Sequence, residues 1–286
     1  MSPPSGVRVA VTGSNGRLGR LITNALKAAG YDVIGLDRTP APDNSRFIQC
    51  SILDPDSLAA AFVGADAVVH TAALLSAGNT QADIFEVNTR GTWMVFDAAT
   101  RAGARRVVSF SSECAVGQCF QRVARPPRYL PIDEAHPLEP QDAYSLSKQL
   151  GESIAASFRR AGGPSVVILR PTWVMFPITE AELEAHRALT HGDMWCYVAP
   201  ADVAAATVAA VALETDFDTF FLGAPNTLCE QPTLERLRAR WGHLPELRRP
   251  ELYADDPTAG LYDSSKAGEK LGFTPTRQWR TLLAQA

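Results

Sequence analysis

Tyr144 and Lys148 stand four positions apart in YSLSK, one turn of a helix, so their side chains share a face. A free phenol titrates near ~10 and is a poor base at neutral pH. An ammonium held beside it stabilises the phenolate. Such a pair can handle the proton on a substrate oxygen while a hydride moves between the adjacent carbon and a nicotinamide. Upstream, SFSSECAVG supplies Ser111, Ser112 and Glu113 as substrate contacts. A hydroxyl such as that of Ser112 can orient the substrate oxygen and donate to it as charge develops. The spacing alone decides nothing, because YDSSK repeats it at Tyr262 and Lys266. The surrounding elements must separate the two pairs.

Short Val/Ile-rich runs alternate with longer helical patterns. Strands are expected at 7–12, 31–37, 46–50, 66–72, 106–111 and 165–170. Helices are expected at 18–29, from 55, at 84–102 and at 142–161. This alternation predicts an α/β fold with a doubly wound parallel sheet. Ser111 and Ser112 then fall at the C-terminal edge of the fifth strand, where open α/β sheets bind ligands, and Tyr144 follows on the next helix. Tyr262 has no strand-end serines before it, so YSLSK is read as the catalytic pair and YDSSK as a structural segment. On the Tyr144 helix, Leu146, Leu150, Ile154 and Phe158 form the expected core stripe. Tyr144 and Lys148 lie roughly 200° from it.

VAVTGSNGRLG runs from the first strand through Gly13, Gly16 and Gly19 into the first helix. Such a turn brings backbone N–H groups and a helix N-terminus close to a pyrophosphate, with Asn15, Arg17 and Leu18 in the same turn. Asp37 ends the second strand, 24 positions after Gly13. A carboxylate there accepts from ribose hydroxyls and repels a 2′-phosphate, which favours NAD. Arg38 offsets part of that repulsion, so NADP is not excluded. Ser51 and Ile52 are the expected adenine contacts, whereas Asp54-Pro55 reads as a helix N-cap.

Beyond Arg170 the regularity fades. Helices are expected at 181–189, 200–213 and 234–240, and a strand at 219–223. Residues 1–170 are read as a dinucleotide-binding domain and 171–286 as a smaller substrate-binding part, the chain being free to cross between them. The 286 residues carry a net charge of -4, which gives no reason to expect nucleic acid. The most apolar window, 204–213, is too short to span a bilayer, and no signal peptide is read at the N-terminus. The five cysteines form no CxxC and the five histidines no HExxH. Reduced thiols, no metal and a cytoplasmic location are expected.

In order, TGSNGRLG, the Asp37 strand end, HTAA, VNTRGT, FSSECAVG, YSLSK, RPT, ADVAAA and YDSSKAGEKLGFTP resemble the extended short-chain dehydrogenase/reductases, which include NAD-dependent sugar epimerases, dehydratases and uronate dehydrogenases. The resemblance implies a Rossmann fold and a catalytic set of Ser112, Tyr144 and Lys148, with Lys148 also holding the nicotinamide ribose. It implies that Ala72, Ala73 and Pro171 line the cofactor, that Asn88 sits near the active site as a structural or relay residue, and that the chain forms a homodimer through the Tyr144 helix. Three features depart from it. Ser51 replaces a frequent Asp. Trp173 and Phe176 stand where sugar-nucleotide epimerases carry Asn and Gly. The interval from Arg170 to Asp202 is short, which points to a small substrate, as in the uronate dehydrogenase-like members, with Trp173 lining its pocket. The loop before Tyr144 carries Arg122, Arg125 and Arg128, read as a lid for an acidic substrate or as a solvated surface. The resulting expectation is an NAD(P)-dependent oxidoreductase of a small hydroxylated or carbonyl substrate, a sugar or sugar acid. The alternative is an epimerase or dehydratase that retains NAD; a non-catalytic dinucleotide sensor fits the intact triad least.

Overall fold

Strands rich in Val and Ile bury both faces here: Val9, Val11, Val68, Val69, Val107 and Val108 are fully buried, as a parallel sheet between two helical layers requires. The computed structural model describes residues 6–41, 46–75, 77–188, 194–275 and 278–283. In chain order its strands are β1 (Arg8–Thr12), β2 (Asp32–Asp37), β3 (Phe47–Gln49), β4 (Ala67–His70), β5 (Arg106–Phe110), β6 (Tyr129–Leu130), β7 (Ser165–Pro171), β8 (Trp173–Val174), β9 (Tyr197–Val198), β10 (Phe217–Leu222) and β11 (Glu246–Leu247). The helices are α1 (Arg17–Ala28), α2 (Pro55–Ala61), α3 (Gln81–Phe85), α4 (Gly91–Arg101), α5 (Ala143–Arg160), α6 (Glu180–Arg187), α7 (Pro200–Ala212), α8 (Thr233–Trp241), α9 (Pro250–Asp255) and α10 (Ser265–Leu271). The main sheet is parallel, in the order β10-β7-β5-β4-β1-β2-β3. Strand order reverses between β1 and β4, so the crevice for a ligand opens there.

One face of the sheet packs Ile22 and Leu26 of α1 and Val203 and Ala210 of α7 against Val9, Val69 and Val167. The other packs Leu58 of α2 and Val95 and Phe96 of α4 against Val68, Val107 and Val166. A third core joins Val116, Leu130 and Ile132 to Tyr197, Leu237, Tyr253 and Leu261. The chain therefore crosses between the two parts: β10 and α7, beyond residue 170, complete the main sheet layers, while residues before 170 enter the smaller core.

Two expectations change. The helix read over 84–102 is interrupted: α3 ends at Phe85, a π-helical turn spans Glu86–Arg90, and α4 begins at Gly91. On α5 the stripe of Leu146, Leu150, Ile154 and Phe158 is not the buried face. Leu146 is 37% exposed, and the buried residues are Ser145, Ser147 and Ala155. Phe158 packs on Trp93 and Phe96 of α4, with ring centroids 4.8 and 5.7 Å away. The stripe thus serves helix–helix packing, which frees the Tyr144–Lys148 face to lie over the sheet edge. The end of the helix expected at 181–189 includes Leu189, outside the described residues.

Candidate active site

Strand β5 delivers the serines. Its last carbonyl, that of Phe110, accepts from the Lys148 ammonium at 3.0 Å, and the Ser111 N–H continues the ladder to Leu169 at 2.8 Å. Ser112 then leaves the sheet and caps a 3-10 turn, Glu113–Val116, its hydroxyl accepting from the Cys114 N–H at 3.1 Å. Gly117 ends that turn at φ 89°, where a Cβ would meet the Glu139 carbonyl oxygen at 2.1 Å. Helix α5 starts at Asp142, whose carboxylate accepts from the Ser145 N–H at 3.0 Å. This cap sets the first turn that carries Tyr144. The Lys148 nitrogen lies 5.6 Å from the centre of the Tyr144 ring, and the Ser112 side chain is near enough to the Tyr144 phenol to lower its pKa. The structure brings Ser112, Tyr144 and Lys148 together.

Burial dominates the electrostatics. It raises the Tyr144 phenol well above its ordinary value; Cys114 adds to the rise, and the nearby Ser112 side chain opposes it. It lowers the Lys148 ammonium to about 8, against the opposing pull of Cys114 and Glu152. Lys148 is thus still cationic at pH 7, yet close to losing its proton.

Ser111 was expected to touch substrate. Its hydroxyl instead donates to Glu152 at 2.6 Å. Glu152 is held in a two-pronged pair by Arg170, at 2.8 and 2.7 Å. The Ser111 hydroxyl hydrogen is thus spent on Glu152, while Ser111 lines one small cleft with Lys148. Glu152 was missed, although its place four residues after Lys148 puts it on the same helical face. Asn88, on the π-helical turn, accepts from the Leu74 N–H at 2.7 Å and donates to the Leu74 carbonyl and the Ser147 hydroxyl at 2.9 and 3.2 Å. Both amide hydrogens are used, so Asn88 braces the loop after β4 against α5 rather than holding a cofactor directly. That loop carries Ala72 and Ala73, which line one small cleft with Asn88, Lys148 and Glu152. His70, ending β4, is fully enclosed. The Thr92 hydroxyl donates to the Asn88 carbonyl at 2.5 Å, so it accepts from His70 Nε2 at 3.0 Å. Nδ1 then accepts from Thr12 at 2.8 Å. Burial, reinforced by Lys148, lowers His70 to about 3.

The glycine turn fits a dinucleotide on its own geometry. Gly13 has φ 73°, and a Cβ there would lie 2.7 Å from the Ala72 nitrogen. A Cβ on Gly19 would lie 2.0 Å from the Gly13 carbonyl oxygen. Gly16 caps α1 with no side-chain partner for the first N–H groups, and no acidic residue occupies the first turn, so these donors suit an anion. Asp37 holds the loop, accepting from the Asn15 N–H at 3.0 Å and from the Thr39 N–H and hydroxyl at 3.0 and 2.9 Å. Its oxygens keep lone pairs for ribose hydroxyls. Arg38 and Ser51 are exposed; Ile52 packs into the core, against Gly91. Leu18 packs on the α1 side of the sheet. The Arg17 guanidinium lies 4.0 Å over the Phe176 ring, which ties the glycine turn to the segment after β7.

Pro171 ends β7 opposite Leu222. Trp173 is half-buried and stacks on His186, centroids 3.9 Å apart, so one of its faces is covered. In the loop before α5, Arg128 pairs with Glu139 at 2.6 Å, and Arg122 and Arg125 are exposed; the solvated-surface reading fits them. Phe120, by contrast, was not anticipated. It sits at φ 50°, unusual for a bulky residue, 42% exposed and edge-on to Tyr144 at 6.4 Å. Gln121 fixes this loop through the Gly117 and Arg125 carbonyls at 3.1 and 2.8 Å. All five cysteines are buried. Among the described residues no group of three or more His, Cys, Asp or Glu could hold a metal, and no helix is long and apolar enough to cross a membrane.

Comparison with known proteins agrees with this geometry. The model of the NAD dependent epimerase/dehydratase family matches residues 9–191. L-arabinose 1-dehydrogenase (NAD(P)(+)) of Haloferax volcanii is 33% identical over 178 residues, 59% of this chain and 67% of that protein. UDP-glucose 4-epimerase of Streptomyces lividans is 26% identical, with 96% and 94% covered. Two further curated relatives are spanned over only 50% and 54% of their length. A solved short-chain dehydrogenase/reductase superfamily protein from Agrobacterium tumefaciens, with bound NAD, superposes with a TM-score of 0.73 at 26% identity, covering 96% of this chain and 94% of that one. A glycine turn at the strand crossover and a Ser–Tyr–Lys set at the same sheet edge thus meet a family match over most of the sheet: the chain belongs to the NAD dependent epimerase/dehydratase family, within the extended short-chain dehydrogenase/reductases.

Proposed function

We propose that this protein is an NAD-dependent oxidoreductase that interconverts a hydroxyl and a carbonyl on a small sugar-like substrate. The observation that carries the reading is the convergence of Ser112, Tyr144 and Lys148 at the end of β5, beside a glycine turn that fits a dinucleotide. When bound, NAD supplies the group that accepts or returns hydride. The residues of the chain do the rest. Ser112 holds the reacting oxygen and donates to it. Tyr144 takes or gives the proton on that oxygen. Lys148, anchored by the Phe110 carbonyl, supplies the positive charge that favours the phenolate. Gly13, Gly16 and Gly19 admit the pyrophosphate, Asp37 the adenosine ribose, and Ala72, Ala73 and Pro171 the nicotinamide end. Asp37 without a neighbouring buried cation supports NAD over NADP. The homodimer implied by the resemblance belongs to the same reading.

A second reading, an epimerase that regenerates its NAD, draws on the epimerase relative aligned over nearly the whole chain. The short interval from Arg170 to Asp202 favours the first. The deciding experiment offers alcohols, aldoses and uronic acids with NAD or NADP and follows reduced-cofactor absorbance. Net NADH formation with a small substrate is expected. Tight NAD binding with isomerised product and no net NADH would establish the epimerase instead. Tyr144→Phe should lower turnover by about 10²–10⁴-fold while leaving NAD binding intact; retained turnover would overturn the mechanism.

A further inference from the structure

The two tyrosines of the repeated spacing stand in opposite surroundings. Tyr262 is buried in the smaller core, its ring packed 5.1 Å from Phe221. Lys266 is engaged elsewhere, donating to the Thr219 carbonyl at 2.9 Å and pairing with Asp218 at 2.5 Å. Tyr144 is only half-buried, and its aromatic neighbour lies at the surface. The ring centroid of Phe120 is 6.4 Å from that of Tyr144, with the planes 88° apart. An edge-on contact covers only part of a ring, and Phe120 leaves 42% of its surface open beside the phenol.

Phe120 is also held in place. Its φ of 50° is a conformation that a bulky residue keeps only where the surroundings enforce it, and such positions cluster at ligand clamps. The loop is tied on both sides of it. Gln118 and Cys119, at its root, are buried. Gln121 donates to the Gly117 and Arg125 carbonyls. Gln141 accepts from the Arg122 and Val123 N–H groups at 3.1 and 2.9 Å and donates to the Val123 carbonyl at 2.9 Å. Gln141 directly precedes Asp142, the cap of α5. The loop that carries Phe120 and the helical turn that carries Tyr144 are therefore fixed to each other, which makes the ring a built wall rather than a free flap.

We propose that Phe120 is a specificity-determining residue: its ring is the wall on which the C–H face of a cyclic sugar rests while a hydroxyl of that sugar meets Tyr144. The protein then takes a ring-form aldose in preference to the open-chain alditol of the same length. The proposal rests on Tyr144 being the reacting end. The face of an aromatic ring is electron-rich and attracts the polarised C–H groups that line one side of a sugar ring. An open-chain alditol presents no continuous C–H face, and it loses more torsional freedom on settling against a wall.

The test uses the full chain with NAD and matched pairs of aldose and alditol. It reads NADH formation, NAD affinity and the melting-temperature shift that each sugar adds to the NAD-loaded protein. Wild type should favour the aldose of a pair. Asparagine accepts a positive φ readily, so Phe120→Asn keeps the turn while removing the ring, and without sugar it should melt close to wild type. Its KM for the aldose should rise about tenfold, with kcat changed far less and the aldose-induced shift diminished. NAD affinity should stay the same, and the preference for aldose over alditol should narrow. Phe120→Gly, equally suited to the turn, should behave alike. Phe120→Tyr keeps the aromatic face and should keep the wild-type KM. An unchanged KM and sugar shift in both ring-less variants, a Phe120→Tyr protein as impaired as they are, or a wild type that prefers the alditol would overturn the proposal. If no sugar gives NADH but the aldose shift is present and is lost in Phe120→Asn, the wall stands and the oxidoreductase reading falls. If no sugar produces either signal, both fall.

Discussion

A phenol pushed up by burial and an ammonium pulled down by it are, taken singly, poor catalysts at neutral pH. In the proposed mechanism they become useful together, because Lys148 is fixed to a strand carbonyl beside Tyr144 and its pKa is lowered only to about 8. That fixing depends on residues behind the site. Ser111, Glu152 and Arg170 form a closed set in which the Glu152 and Arg170 side chains are 12% and 5% exposed. Removing one partner of such a pair leaves a buried charge uncompensated, which costs about 3–5 kcal/mol. Glu152→Gln should therefore lose about that much stability in urea unfolding. Turnover should fall as well, since Lys148 loses the Glu152 charge that favours its cationic form. A stability loss within the range of ordinary surface changes would show that the pair is not braced as described. The convergence of Ser112, Tyr144 and Lys148 was legible in the sequence because Ser112 follows a strand end and the other two share a face of the next long helix. Glu152 was legible in principle, by helical periodicity from Lys148. Phe120 was not, because no residue type announces a left-handed phenylalanine; the conformation comes from Gln121 holding the loop, a tertiary effect.

At the scale of elements, the sheet and most helices could be read from Val/Ile runs, glycines and caps such as Asp54, which accepts from the Asp56 and Ser57 N–H groups as its Asp-Pro context predicts. The π-helical turn could not be read, since its residues carry an ordinary helical pattern. Its wide turn places Asn88 between the loop after β4 and α5, and Thr92 against His70. His70 pins three elements, with Thr12 on β1, Thr92 on α4 and its own strand β4 joined through one neutral imidazole. Held near 3 in the fold and titrating near ~6.5 when unfolded, it binds a proton in the unfolded state first. Its contribution to stability is complete above about 6.5 and is lost as pH falls from there towards about 3. His70→Gln removes this dependence. The wild type should melt higher than the variant at pH 8, and the gap should shrink steadily on acidification below 6.5. A gap that is constant with pH would show that His70 is not held neutral.

Over the whole molecule, the crossing of the chain makes the main sheet and the smaller core one mechanical unit. β10 extends the sheet beside β7, α10 packs on β10, and residues after Ser112 build the core that holds Tyr262. The opposite side is different. Phe85, Trp93 and Leu146, on the mutually packed α3, α4 and α5, expose 42%, 51% and 37% of their surface. The homodimer proposed above would cover exposed apolar side chains of α5 by a two-fold contact that uses the same surface twice. Phe158 and Ile154 of the α5 stripe pack within the chain, which leaves Leu146 as its exposed member. Leu146 lies between Tyr144 and Lys148 in sequence, so a partner copy seated on α5 would help hold both at the sheet edge. The paired substitution Trp93→Glu and Leu146→Glu should convert a dimer to a monomer in light scattering. It should leave NAD affinity largely unchanged, because neither residue touches the glycine turn, and it should lower kcat more than it raises KM. A wild type that is monomeric throughout, or a variant that dimerises undiminished, would place the contact elsewhere and return these exposed side chains to the status of ordinary surface.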